Sequence, residues 1–273
     1  MKRVVSIILV FFLLLSPALL ITACGDSGSD KAGGSASFSP ETERQIEEAV
    51  EKNLEEYGGE EPVPGAAIGI WAPGKGTYVK GIGVSDLTTG EPMSTDDKFR
   101  VGSNTKTFVV TVILQLVDEG KLTLDDDLAG FGLGVEVPNA ENITVRQLCN
   151  MTSGLFEVYN SPAVWEDGVN PLTHWNPQDL VAAAVENPPN FPPGEGWNYS
   201  NTNYTLLGMI IEKLTGNTAE EEITKRCIEP MGLNNTGFPV DYSGMPCPYS
   251  HGYMLDDAGG WEDVSILFLI CQL

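Results

Sequence analysis

Apolar positions recur along the chain with two different periods, and the places where the period changes divide it into elements. Ile46, Val50, Leu54 and Tyr57 fall at helical spacing and predict one amphipathic helix over residues 40–57. Pro40 suits its first turn, and acidic residues crowd the early positions, where the helix dipole favours them. The next two segments, AAIGIWA (66–72) and TYVKGIGVSD (77–86), are separated by PGKG and read as a β-hairpin. Beyond Gly102 the run from 103 to 116 is densely apolar and rich in Val and Ile, which predicts a buried helix ended at Glu119-Gly120. Short helices and Pro/Gly loops follow to about Pro193, and residues 204–214 read as a further helix closed by Gly216. The pattern is that of an α/β (α+β) protein whose middle is mainly helical and follows two strands. No internal repeat is evident.

Composition adds that the chain can build a core: 273 residues, 42% of them hydrophobic, with 30 Gly and 18 Pro. A net charge of −23 repels phosphate backbones, and no basic cluster offsets it, so a nucleic-acid partner is excluded as a class. The carboxylates read as a solvated surface.

The N-terminus changes the picture. Lys2 and Arg3 precede an apolar run that ends in small residues before Cys24, the pattern of an export signal. The run also approaches membrane-spanning length, but LITAC (20–24) resembles a bacterial lipobox. That resemblance implies a signal peptide over 1–23, lipidation of Cys24, and a membrane-anchored protein on the extracytoplasmic side. The Gly/Ser-rich residues 24–39 then read as a tether, and 40–273 as one folded domain. Cys149, Cys227, Cys247 and Cys271 remain. Four cysteines allow three pairings; export permits disulfides, Cys227 with Cys247 is the favoured pair, and Cys149 looks like core. His174 and His251 have no close Cys or His spacing, so no metal is expected.

The candidate chemistry begins in FRVGSNTKTF (99–108). Ser103 is read first as a helix N-terminal residue, a common place for Ser, with Lys106 on the same face three positions on. The same spacing also suits a nucleophile and its base, because an amine one helical turn away reaches the hydroxyl, and the helix N-terminus favours developing negative charge. No G-x-S-x-G is present to suggest a Ser-His-Asp enzyme. A second element, Tyr199-Ser200-Asn201, puts a phenol and an amide two positions apart in an extended stretch before a helix; taken alone, Asn201 reads as that helix's cap.

Together these segments resemble the serine β-lactamase and D-alanyl-D-alanine carboxypeptidase family, particularly its class C and low-molecular-weight esterase/peptidase branch. FRVGSNTKTF matches the S-x-x-K segment, ITVRQLCNMTSGL resembles the "TSGL" helix and loop, and the Pro-Pro-Gly stretch into YSN resembles Y-x-N. The resemblance implies a β-lactamase/DD-peptidase-like fold, an antiparallel sheet flanked by helices plus a helical subdomain, and no cofactor. It implies Ser103 as acylated nucleophile, Lys106 as proton acceptor, Tyr199 as proton shuttle, and Asn201 as a group that binds the substrate amide carbonyl and steadies Lys106. The substrate would be a peptidoglycan stem peptide, a β-lactam or a small ester. ENPPN (186–190) precedes the second motif and reads as loop only. The family's third motif, Lys or His followed by Thr or Ser and Gly, has no match, and His251-Gly252-Tyr253 has the wrong pattern. The apolar ILFLICQL after WEDVS is unlike the family, which leads to the expectation of a truncated or frameshifted C-terminus lacking later strands and a helix. The alternative function is then a catalytically dead lipoprotein that binds cell-wall ligands.

Overall fold

The computed structural model describes residues 37–57, 63–165, 175–238, 245–256 and 259–265. The chain divides into two compact units, Met1–Asp97 with Ser250–Asp263 and Lys98–Tyr249 with Val264–Leu273.

In the first unit, α1 (Pro40–Tyr57) is followed by β1 (Gly65–Ala72), β2 (Gly76–Asp86) and the two-residue β3 (Glu91–Pro92), in an antiparallel sheet of order β1-β2-β3. The hairpin register pairs Ile68 with Lys80 and Ile70 with Tyr78. Helix and sheet are joined through Glu47, which accepts from Lys80 Nζ at 2.6 Å and from Tyr78 OH at 3.1 Å. Burial first, and Glu47 second, push the Tyr78 phenol up to about 12. A second hairpin, β4 (Tyr253–Leu255) with β5 (Trp261–Asp263), belongs to the same unit. His251 Nδ1 lies 2.7 Å from Asp263 Oδ2, and Tyr253 OH accepts from the Leu87 N–H at 2.8 Å.

The second unit is helical. Its core is built on α2 (Thr105–Asp118), α3 (Val145–Cys149) and α6 (Asn201–Thr215). In α2 the spacing of Val109, Val112, Ile113 and Leu116 makes one buried stripe, and all four are fully inaccessible. They meet Leu148 of α3 and Leu206, Leu207, Ile210 and Ile211 of α6. A smaller cluster gathers Val158, Val164 from α4 (Pro162–Trp165), and Leu180, Ala183 and Ala184 from α5 (Pro177–Val185). Helix α7 (Ala219–Ile223) begins in a capping box, Thr218 with Glu221, and runs into a π-helical turn, Thr224–Ile228.

The predicted hairpin and the helices over 40–57 and 103–116 match the observed elements closely. Three features differ. Strands β3 to β5 are two or three residues long, too short to carry a period. Helix α6 starts three residues earlier than its apolar pattern, so Asn201 is its first residue and not its cap; Ser200 holds the cap position. Cys227 and Cys247 are not paired: both are free, Cys227 buried in the core beside α7 and Cys247 at the surface. Burial, not spacing, decides that separation. Cys24, Cys271 and His174, with the expected signal, the lipid anchor and residues 24–36 of the expected tether, lie outside the described residues.

Arg226, in the π-helical turn, ties α7 to the residue that follows α2. It donates to Glu222 and Glu119, and the Glu222 side chain is 1% exposed. Burial pushes the Glu222 carboxyl up, but Arg226 and Asn217 outweigh it and hold it below its usual 4.5. Its contribution is therefore complete above about pH 4.5 and declines as pH falls through the lower folded value. In Arg226→Ala the same carboxylate is left buried without its cation, and we expect a loss of about 3 kcal/mol at pH 7. With burial now dominant, the variant should gain stability as pH falls from 7 towards 4.5, a range over which the parent's Glu222 contribution is flat. Thermal unfolding across that range checks the sign; parallel curves for the two proteins would contradict it.

Candidate active site

The local route into the site starts at Gly102, whose φ of +49° is open to glycine at little cost. It turns the chain into a 3-10 turn, Gly102–Asn104, that leads directly into α2. Ser103 sits on this turn, exposed. Neither helix start draws a side-chain capping bond, so the hydroxyl is not spent on the backbone. Instead Ser103 Oγ lies 2.6 Å from Tyr199 OH and accepts from Lys106 Nζ at 3.2 Å. Lys106, the second residue of α2 and one turn on from Ser103, also donates to Asn201 Oδ1 at 2.6 Å. Its ammonium stands 5.0 Å from the Tyr199 ring centroid and 5.3 Å from that of Tyr204.

Tyr199 and Asn201 come from a stretch about 95 residues further along the chain, and the loop after α3 holds them in place. Residues 151–158 of that loop are stitched to the start of α6. Ser200 Oγ donates to the Phe156 carbonyl at 3.0 Å, Thr202 Oγ1 to the same carbonyl at 2.6 Å, and the Val158 N–H to Thr202 Oγ1 at 3.2 Å. Gly154 lets the same loop pass close to Phe191, in the segment that leads to Tyr199. A Cβ there would meet the Phe191 carbonyl oxygen at 1.9 Å, and its φ is +79°. Buried Ser200, Thr202 and Asn203 are therefore framework, while Tyr199, 39% exposed, faces outward at the nucleophile.

Two more side chains complete the surroundings. Glu157 accepts from the Asn201 N–H and from Asn201 Nδ2, the latter at 2.9 Å, and from the Tyr159 N–H at 3.1 Å. Tyr204 OH donates to the Cys149 carbonyl at 3.0 Å. Burial, then Cys149 and Tyr199, push this phenol up to about 12, so it keeps its proton and that bond at neutral pH.

The four residues singled out in the sequence, Ser103, Lys106, Tyr199 and Asn201, thus meet in one place. His251, in the first unit, is engaged with Asp263. Glu157 and Tyr204 were missed. The available signal for Glu157 was a lone carboxylate between Phe156 and Val158, two residues past the end of TSGL; Tyr204 reads as ordinary core in a helix stripe.

A hydroxyl in hydrogen-bond reach of both an amine and a phenol, next to a helix N-terminus, is the constellation of a serine hydrolase that works by acyl transfer. The chain belongs to the Beta-lactamase family, whose model matches residues 50–266. It is 34% identical over 203 residues to Protein flp of Staphylococcus aureus (strain N315), covering 72% of this chain and 39% of that protein. It is 31% identical over 180 residues to Penicillin-binding protein 4 of Amycolatopsis lactamdurans, covering 65% of this chain and 45% of the relative. Among solved structures, a D-stereospecific amidohydrolase from Streptomyces sp. superposes with a TM-score of 0.70 at 36% identity, over 80% of this chain and 65% of that one. The chain therefore spans less than half the length of these two sequence relatives, and its fold is that of the β-lactamase/DD-peptidase group.

Proposed function

We propose that the chain is an acyl-serine hydrolase that cleaves small amide or peptide substrates at D-configured residues, with β-lactams and small esters as further acyl donors. The observation that carries this reading is Ser103 Oγ held between Tyr199 OH and Lys106 Nζ. Lys106, in its unprotonated form, takes the Ser103 proton as Oγ attacks the substrate carbonyl carbon. The Ser103 N–H, at the entrance to α2, is one donor for the oxyanion that forms. Tyr199 delivers a proton to the departing amine, the C–N bond breaks, and an acyl ester on Ser103 remains for water to hydrolyse. Asn201 holds Lys106 through Oδ1 and leaves one Nδ2 hydrogen for a substrate carbonyl.

The D-configured amide class is supported by the Streptomyces amidohydrolase, which its description calls D-stereospecific. Exposed apolar side chains near the site residues in sequence support an apolar preference. Phe99 and Val101, four and two residues before Ser103, and Trp197, two before Tyr199, are all substantially exposed. The test is a panel of D- and L-phenylalanine amide, a D-Ala-D-Ala peptide, nitrocefin and p-nitrophenyl acetate. We expect the D-amide to be cleaved at least tenfold faster than the L-amide, a difference of about 1.4 kcal/mol in transition-state binding. Equal rates for the two amides would remove the stereochemical assignment, and no turnover of any member would remove the enzyme reading.

A further inference from the structure

Glu157 is 9% exposed, and its three hydrogen-bond partners described above are all neutral N–H groups. An ionised carboxylate accepts and never donates, and an ammonium donates and never accepts. Asn201 stands between the two, with an amide that has one end of each kind. Only one orientation satisfies both neighbours: Nδ2 towards Glu157 and Oδ1 towards Lys106. The reversed amide would set its NH2 against the Lys106 ammonium, or in the unprotonated form would occupy the lone pair that Ser103 needs, and would set its oxygen against the Glu157 carboxylate. With the ammonium both contacts are repulsive, in surroundings where unmet polar groups are costly.

We propose that Glu157 is a positioning residue for the acyl-transfer site: it fixes the polarity of the Asn201 amide and so holds Lys106 in line with Ser103. This inference rests on the acyl-serine reading of Ser103. A glutamine would not serve the same end. It fills the same volume, but one carboxylate oxygen meets Asn201 Nδ2 and the Tyr159 N–H and the other meets the Asn201 backbone N–H, so either orientation of a glutamine amide sets Nε2 against at least one donor and Asn201 is held less firmly. The Asn201 backbone N–H, on the first residue of α6, is a donor with no partner inside its own helix, so Glu157 also anchors that helix end. A purely structural role would stop there. A positioning role additionally requires that the effect on rate pass through the Asn201 side chain.

The test is a double-mutant cycle on the full chain, with the rate of acylation by a fluorescent penicillin as readout and thermal unfolding alongside. Glu157→Gln is expected to slow acylation about 10- to 100-fold, the range for one charge-assisted hydrogen bond. Asn201→Ala removes the amide that Glu157 orients, so in that background Glu157→Gln should change the rate by less than about twofold. Equal fold losses in both backgrounds, or wild-type acylation in Glu157→Gln alone, would overturn the proposal. Should Glu157→Gln unfold at the assay temperature, Tyr159→Pro removes one of the same N–H partners while sparing Asn201; the proposal requires that variant to acylate at more than half the wild-type rate once folded, and a loss matching Asn201→Ala overturns it. A wild-type chain that takes no label is a separate result, which fails the Ser103 reading itself and this inference with it.

Discussion

Ser103→Ala is expected to abolish covalent labelling by penicillin and to cut amide hydrolysis by at least about a thousandfold. The hydroxyl is the only atom group that changes, and its bonds run to Tyr199 OH and Lys106 Nζ, not to the fold's framework. Ser103 is exposed on a 3-10 turn, so stability should move by no more than about 0.5 kcal/mol. Activity and stability are thereby separated. Acylation rates and thermal unfolding of the parent and the variant check both halves. Labelling that survives in Ser103→Ala would assign the nucleophile elsewhere.

Lys106→Ala is expected to lower acylation by about 10²- to 10⁴-fold, the span of a positioned general base. The loss has two physical parts. The base is removed, and Asn201 Oδ1 is left without the donor it meets at 2.6 Å. Lys106→Arg should do no better, because a guanidinium keeps its protons at any working pH and its planar fork does not fit one oxygen and one hydroxyl in a site made for a point charge. Nucleophile and base act as one unit, so the Ser103→Ala, Lys106→Ala double variant should be no slower than Ser103→Ala alone. Acylation in Lys106→Ala within tenfold of wild type would transfer the role of base to Tyr199, whose hydroxyl is the other group at Ser103 Oγ.

The sequence carried the helices well wherever one face is buried. Val109, Val112, Ile113 and Leu116 announce α2 because a helix that buries one stripe must repeat it every three or four residues. The β1–β2 hairpin was equally plain from its alternation and the intervening Pro-Gly-Lys-Gly turn. Strands of two or three residues, such as β3 and β4, fall below the length at which a period exists. The start of α6 was misplaced for a different reason: Asn201, Thr202 and Asn203 are polar, yet they are helical and largely buried, because the loop over 151–158 supplies their partners. A polar helix start buried by a distant loop leaves no local signature. The same reason hid Glu157, whose partner Asn201 is 44 residues away. Ser103 and Lys106 were legible because their separation of one helical turn is itself the geometry, whereas the approach of Tyr199 to Ser103 spans 96 residues and entered through the family resemblance.

The central claim is that Ser103 Oγ becomes acylated. It is tested most directly by incubating the chain with benzylpenicillin, quenching in acid, digesting, and locating the adduct by peptide mass spectrometry. Opening of the β-lactam ring expels no fragment, so the account predicts the whole mass of the drug added to the peptide that contains Ser103, and to that residue within it. An adduct carried by a different side chain, or hydrolysis of the drug that persists in Ser103→Ala, would contradict the account.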